Sequence, residues 1–300
     1  MQPSGHTKLM NFVIGMCKKN KDWITVLSKL GYEIQIIEQT IHVSSGEAVK
    51  PDLVTASNML LHSLVFEVKG GKSLDMEQLK RYSGMTPEDL RWLTWLSVYD
   101  KPRLQLDVCI CDLAENHNSI KTFNPPFPML TFSSAQLTKE GVFKNDELNK
   151  TFKEPISLDG KLQPLSYYPF SDEDDIAYIA VHVLRTILAI VIKESKRGHE
   201  FSEDELKKRM VTFDDVLASN FNYVWKTLSI EHRNSLKSKI EEISRRIFEK
   251  DDVGQSLGII QQKKGYRITR NLDQFNREAT RLIEELESER GQTGLTDFPH

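Results

Sequence analysis

Cysteine is scarce in this chain: Cys17, Cys109 and Cys111 are the only three in 300 residues. So few exclude a disulfide framework and fit a reducing compartment. Cys109 and Cys111 flank Ile110, so on a strand they share a face, and with no further ligands nearby they read as small buried hydrophobes. Net charge is nearly absent: 40 Lys and Arg stand against 43 Asp and Glu, a balance of -3. The whole molecule therefore has no strong pull on a polyanion, and any basic surface must be local. The N-terminal stretch MQPSGHTKLMNF lacks an apolar core, so no signal peptide is expected, and the cytoplasm is the expected location. Long hydrophobic runs are rare. Ile176 to Ile192 approaches spanning length, but it contains His182 and Arg185 and follows four acidic residues, Asp172 to Asp175. A buried core helix is the expected outcome, with no membrane partner. No internal repeat or low-complexity tract is present.

What the chain does have is the composition of a globular protein, 39% hydrophobic and 28% charged. Its length fits one large domain or two ordinary ones. The first half mixes periods. Residues 8–30 carry helix-spaced apolar positions (Phe12, Val13, Met16, Trp23, Ile24, Leu27, Leu30) ending at Gly31. Residues 32–43 read as extended, 44–46 as a turn, 64–69 as a short apolar strand closed by Gly70-Gly71, and 75–83 as a helix. Strands are expected at 104–111 and 129–132. From Ser171 the periodicity is mainly helical. A capping box at 202–205 opens one helix, 213–229 and 232–250 carry two more, and 272–289 a last one. Between them, 257–269 reads as two strands around a basic turn. These patterns divide the chain into a domain over 1–140, a polar, turn-rich linker over 141–170, a helical domain over 171–290 and a loose tail over 291–300.

One constellation carries chemistry. Asp52 follows Pro51, and fifteen residues later comes Glu67-Val68-Lys69. Period-2 alternation puts Glu67 and Lys69 on one face of an otherwise apolar strand. Charges there must be paired or bind a metal. Phosphodiester hydrolysis needs a nucleophilic water and neutralisation of developing negative charge. Two carboxylates hold Mg²⁺, a hard ion that prefers oxygen, and an adjacent lysine orients the water.

Pro51-Asp52 with Glu67-Val68-Lys69 resembles the PD-(D/E)xK, or restriction-endonuclease-like, nuclease superfamily. Gln78-Leu79-Lys80-Arg81-Tyr82 resembles the QxxxY element of its RecB-like branches. A spacing of four puts Gln78 and Tyr82 on one helix face. The resemblance covers about residues 10–135. It implies an α/β fold with a mixed sheet flanked by helices, Asp52, Glu67 and the Val68 carbonyl as Mg²⁺ ligands with Mn²⁺ as a substitute, and Lys69, Gln78 and Tyr82 in the catalytic site. The superfamily often adds an acidic residue from its first core helix, a part that Glu38 or Glu33 would take here.

The helical half fits a winged-helix module whose wing presents Lys263, Lys264, Arg267 and Arg270. Over 196–270 there are 16 basic and 12 acidic residues, a local net of +4 that suits light contact with a phosphate backbone. Trp92, Trp95 and His182 read as core residues, and the basic clusters at 196–197 and 207–209 as solvated surface. The expectation is therefore a Mg²⁺-dependent DNA endonuclease serving defence against phage or a mobile element, acting as a homodimer or with a partner subunit. Two rivals remain: a non-catalytic nucleic-acid-binding subunit that keeps the fold, and a helical interaction protein in which no central strand carries Glu67 and Lys69 together.

Overall fold

Residues 53–57 and 62–68 are buried at every position and therefore on both faces, as strands covered on each side must be. They form the centre of a mixed α/β unit. The computed structural model describes residues 2–44, 46–94, 104–161, 167–195, 210–248, 253 and 256–293. These fall into two units. One spans Gly5–Tyr168 together with Lys226–His232, and the other gathers the rest, chiefly from Pro169 to Trp225 and from Arg233 on.

The first unit begins with helix α1 (Gly5–Cys17), which buries nearly all of its side chains. The helical pattern breaks after Cys17. Asn20 turns the chain by accepting from the Asp22 amide at 2.8 Å, Trp23 stacks on Phe12 with ring centroids 4.9 Å apart, and only a short α2 (Val26–Lys29) follows. The single helix expected over 8–30 is thus two. Then come β1 (Tyr32–Ile37), a small ribbon of β2 (Ile41–His42) with β3 (Ala48–Val49), β4 (Leu53–Ser57), β5 (His62–Lys69), α3 (Met76–Ser83), α4 (Arg91–Thr94), β6 (Gln105–Leu113), α5 (Ala114–Lys121), β7 (Met129–Phe132), β8 (Gln136–Glu140), α6 (Asp146–Thr151) and β9 (Ile156–Ser157). The sheet order is β1-β4-β5-β6-β7-β8-β9. β5, β6 and β7 run parallel, and the other pairings are antiparallel. The expected α/β architecture, a mixed sheet flanked by helices with a mainly helical region after it, is what the chain adopts.

One apolar layer lies between the sheet and α3, where Val54, Val65, Leu79, Tyr82, Val108 and Ile110 pack together. On α1, Phe12 meets Phe132 at 5.1 Å. Cys109 and Cys111 are buried free thiols. A buried polar trio ties three strands together: His62 lies 2.7 Å from the Tyr32 hydroxyl and 3.1 Å from Asp107. Asp107 also accepts the Lys144 and Asn145 amides, so the charge is fully coordinated.

Four expectations need correction. The stretch 141–170 is no bare linker, because it supplies α6 and the sheet edge β9. The helix expected over 213–229 ends at Asn220. Gly291 to Thr293 belong to the last helix rather than to a tail. Trp92 is 60% exposed instead of packed in the core. Trp95, the capping box at 202–205, the basic clusters at 196–197 and 207–209 and the tail beyond 293 lie outside the described residues.

The second unit starts with α7 (Ile176–Ser195), which is long and apolar enough to cross a membrane by length and composition alone. Here Ile179, Val183, Leu184 and Ile187 are fully buried. There follow β10 (Met210–Thr212), α8 (Phe213–Asn220), α9 (Ile230–Ile243), β11 (Ile259–Gln262), β12 (Gly265–Ile268) and α10 (Leu272–Thr293). The first turn of α9, up to His232, belongs to the first unit. The three strands pair antiparallel in the order β10-β12-β11. Two helices, a hairpin and a last helix follow one another after β10. Lys263 and Lys264 form the hairpin tip, and both are exposed, as are Arg267 and Arg270.

Candidate functional site

The site lies where β1, β4 and β5 end beside each other. The β4–β5 register pairs Leu53 with Phe66, so one step further sets Asp52 opposite Glu67 on the same face. The β1–β4 register pairs Ile37 with Leu53, and its next step brings Glu38 opposite Asp52, where the Glu38 amide donates to the Asp52 carbonyl at 3.0 Å. Antiparallel pairing therefore lines up three carboxylates, Glu38, Asp52 and Glu67, across three strands.

Each is held by specific partners. Asp52 Oδ2 accepts the Val68 amide at 2.5 Å. Glu67, buried in the sheet, pairs through Oε1 with Lys69 Nζ at 2.6 Å. Its Oε2 accepts from the Tyr82 hydroxyl at 2.6 Å and from Gln78 Nε2 at 3.1 Å. Gln78 also lies 2.9 Å from the Tyr82 hydroxyl and 3.2 Å from the Lys50 carbonyl. The helix carrying them is fixed by Asp75, which caps it by accepting the Glu77 and Gln78 amides. The expected residues Asp52, Glu67, Lys69, Gln78 and Tyr82 thus converge. Val68 contributes its amide to Asp52. The central strand bearing Glu67 and Lys69, whose absence would have marked an accidental motif, is present as β5.

Two further residues complete the arrangement. Glu38 carries φ +56° and leaves the strand direction, which turns its carboxylate toward His6 Nε2 at 3.4 Å and Lys50 Nζ at 2.7 Å. His6 lies buried in the first turn of α1. Ligand atoms of His6, Glu38 and Asp52 lie within 4.8 Å of one another. Glu33, the other acidic candidate, is exposed and pairs with Ala56 away from the site. His6 gave no signal in sequence, because it precedes the helix-spaced stretch expected over 8–30, whereas α1 starts at Gly5.

The close approach of α1 depends on two glycines. A Cβ on Gly70 would sit 2.1 Å from the His6 nitrogen, and one on Gly5 would sit 2.5 Å from the Gly70 carbonyl oxygen. Gly70 is therefore required by contact with α1, and this contact brings His6 to the strand ends.

The electrostatics follow from this crowding. Withdrawal from water, and then the Glu67 carboxylate, push Asp52 well above the usual carboxylate range. Burial and the Glu67 and Asp52 charges raise the Tyr82 hydroxyl, so it stays protonated and donates. Burial would raise Glu38 too, but the His6 hydrogen bond, the charges of His232 and His6 and the Lys50 hydrogen bond outweigh it and lower the carboxyl to about 2. Carboxylates packed this closely fit a divalent cation, which relieves their repulsion, and oxygen donors with one imidazole suit Mg²⁺ or Mn²⁺.

The family model of the MJECL32 domain matches residues 5–168, more than half of the chain. The chain belongs to the MJECL32 domain family. No curated protein matches it. Among solved structures, an XisH family protein from Nostoc punctiforme is 15% identical with a TM-score of 0.24, over 42% of this chain and 91% of that one. An fdxN element excision controlling factor protein from Anabaena variabilis is 19% identical with a TM-score of 0.23, over 36% and 84%. A DrdV–DNA complex is 10% identical with a TM-score of 0.19, over 94% of this chain and 26% of that one. The MJECL32 domain thus contains the whole row of carboxylates, Lys69, Gln78 and Tyr82.

Proposed function

We propose that this chain is a divalent-cation-dependent nuclease that hydrolyses phosphodiester bonds in DNA. Mg²⁺ would be the resident cation and Mn²⁺ a substitute. One observation carries the reading: Asp52, fifteen residues before Glu67 in sequence, meets Glu67 and Lys69 at the ends of adjacent strands, with Gln78 and Tyr82 on the Glu67 carboxylate.

Asp52, Glu67, Glu38 and His6, with the Val68 carbonyl, would hold the cation. A bound cation supplies Lewis-acid stabilisation of the phosphate oxygens and acidifies water. The chain's own residues do the rest. Asp52, whose carboxyl is raised by burial and Glu67, gives up its proton as the site fills. Tyr82 and Gln78 fix the Glu67 carboxylate from one side, leaving its other oxygen to Lys69. Lys69 Nζ orients the attacking water and offsets charge developing on the phosphate.

The exposed wing residues Lys263, Lys264, Arg267 and Arg270 support backbone contact with DNA by charge alone. Endonucleolytic cleavage in cytoplasmic defence against phage or in a mobile element, by a homodimer or with a partner subunit, is the setting we infer from the nuclease reading. The test is incubation of plasmid and single-stranded DNA with the native chain under Mg²⁺, Mn²⁺ or chelator. Cleavage that needs the cation and disappears in Asp52→Ala supports the reading. Equal cleavage by Asp52→Ala, or none with either substrate and cation, refutes it.

A further inference from the structure

Glu38 holds an unusual backbone conformation for a residue with a side chain. At φ +56° it sits in the left-handed region, which disfavours any residue with a Cβ. Something must hold it there, and the partners come from a segment distant in sequence. Ser229 captures the carbonyls on both sides of the Ile37–Glu38 junction. Its amide donates to the Ile37 oxygen at 3.0 Å, and its hydroxyl donates to the Glu38 oxygen at 2.6 Å. The hydroxyl is itself fixed, because the His232 amide donates to Ser229 Oγ at 3.0 Å. Leu228 forms a single parallel bridge to Ile37, and Thr40 Oγ1 donates to Glu231 at 2.8 Å, so residues 228–231 are anchored beside the end of β1.

The same segment reaches the carboxylate. His232 Nδ1 lies 3.8 Å from Glu38 Oε2, on a ring that is 1% exposed. The ring is locked in place. Its Nε2 is 2.7 Å from the Tyr168 hydroxyl, and the two rings stack at 5.8 Å and 14°. Tyr168 is in turn pinned by Asn11 of α1, which donates to the Tyr168 carbonyl at 2.5 Å and accepts its amide at 2.8 Å. The Glu38 carboxylate is thus flanked by three basic side chains, His6, Lys50 and His232. None of residues 228–232 lies in the 5–168 stretch that defines the MJECL32 domain.

We infer that Ser229 and His232 are positioning residues of the cation site, which hold Glu38 beside Asp52 and His6 from outside the MJECL32 domain. Ser229 sets the backbone that turns Glu38 inward, and His232 sets the carboxylate. The inference rests on the metal-dependent nuclease reading and deepens it, because the site of this chain is then built jointly by the domain and the later segment. Removing partners that orient metal ligands typically lowers metal affinity about 10–100-fold.

The experiment is Mn²⁺ titration of the full chain, followed by calorimetry and by the electron paramagnetic resonance signal of free Mn²⁺. The variants are Ser229→Ala, His232→Ala, His232→Asn, Leu236→Ala and Asp52→Ala. We expect Ser229→Ala and His232→Ala each to weaken Mn²⁺ binding at least about tenfold. His232→Asn, which places a polar side-chain nitrogen on the Glu38 side, should recover most of that loss. Leu236→Ala empties a fully buried position later in α9 without touching Glu38. It should lower the melting temperature yet keep Mn²⁺ affinity within about twofold, which separates positioning from general loosening. Native affinity in both alanine variants, with binding abolished by Asp52→Ala, overturns the positioning role and leaves the metal reading standing. Equal loss in Leu236→Ala, or no recovery in His232→Asn, also overturns it. No Mn²⁺ binding by the native chain overturns both.

Discussion

Replacing Gly70 by alanine tests the architecture that brings His6 to the site. The new Cβ would meet the backbone of α1, the His6 nitrogen at 2.1 Å and the Gly5 carbonyl carbon at 2.5 Å. Backbone cannot rotate aside as a side-chain end can, so α1 and the end of β5 must separate. Overpacking of this kind costs about 1–3 kcal/mol. For a unit of this size that is a fall in melting temperature of about 2–12 °C. The separation also pulls His6 from Glu38, now 3.4 Å away, so Mn²⁺ affinity should fall together with stability. Its neighbour supplies the control. A Cβ on Gly71 has nothing within 4 Å, so Gly71→Ala should stay within about 0.5 kcal/mol of the native chain and bind Mn²⁺ normally. Differential scanning calorimetry with Mn²⁺ titration reads both effects. If Gly70→Ala behaves like Gly71→Ala in both measurements, the contact between α1 and β5 does not position His6, and the reasoning fails.

Three further outcomes follow from the structure. Tyr82→Phe removes a hydrogen bond to Glu67 while keeping the ring, and should weaken Mn²⁺ binding about tenfold with little loss of melting temperature; a change under twofold would exclude this role. Asp107→Ala strands His62 and two backbone amides in the buried layer and should destabilise the first unit by about 3–5 kcal/mol in urea titration; less than 1 kcal/mol would contradict the account. His182 should govern part of the acid sensitivity. Burial, and then Arg185, lower its pKa from 6.5 to about 4. Its contribution is therefore fully present above pH 6.5 and is lost as pH falls toward 4, because the unfolded chain takes up a proton the folded chain refuses. The difference amounts to about 3 kcal/mol, so His182→Leu should flatten the stability profile between those two values. An unchanged slope would rule out His182 as its source.

Much of the site was legible because its elements are local. Glu67 and Lys69 share a strand, Gln78 and Tyr82 a helix face, and both periodicities are fixed by backbone geometry. The central strands and the order of the later elements could be read from apolar patterning for the same reason. What escaped was what depends on register and on distant contacts. Glu38 looked like one residue of an extended run, whereas Ser229 and its neighbours turn it into the left-handed region. His6 carries no mark that distinguishes it from a core histidine, since its role comes from a glycine 64 positions later in the sequence. β8, α6 and β9 were hidden by polar, turn-rich composition: β9 is the sheet edge, β8 buries only Leu137 and α6 only Leu148, so few apolar residues are needed. Trp92 was misjudged because spacing gives the face of a helix but not what covers it.

The most direct test of the account is plasmid cleavage by the native chain and by Lys69→Ala in Mg²⁺ or Mn²⁺, with Mn²⁺ binding measured on the same preparations. The account predicts cation-dependent cleavage by the native chain and a rate lower by about 10²–10³ in Lys69→Ala, which still binds Mn²⁺. Cleavage at the native rate by Lys69→Ala, or a native chain that binds Mn²⁺ tightly but cuts neither plasmid nor single-stranded DNA, would contradict it.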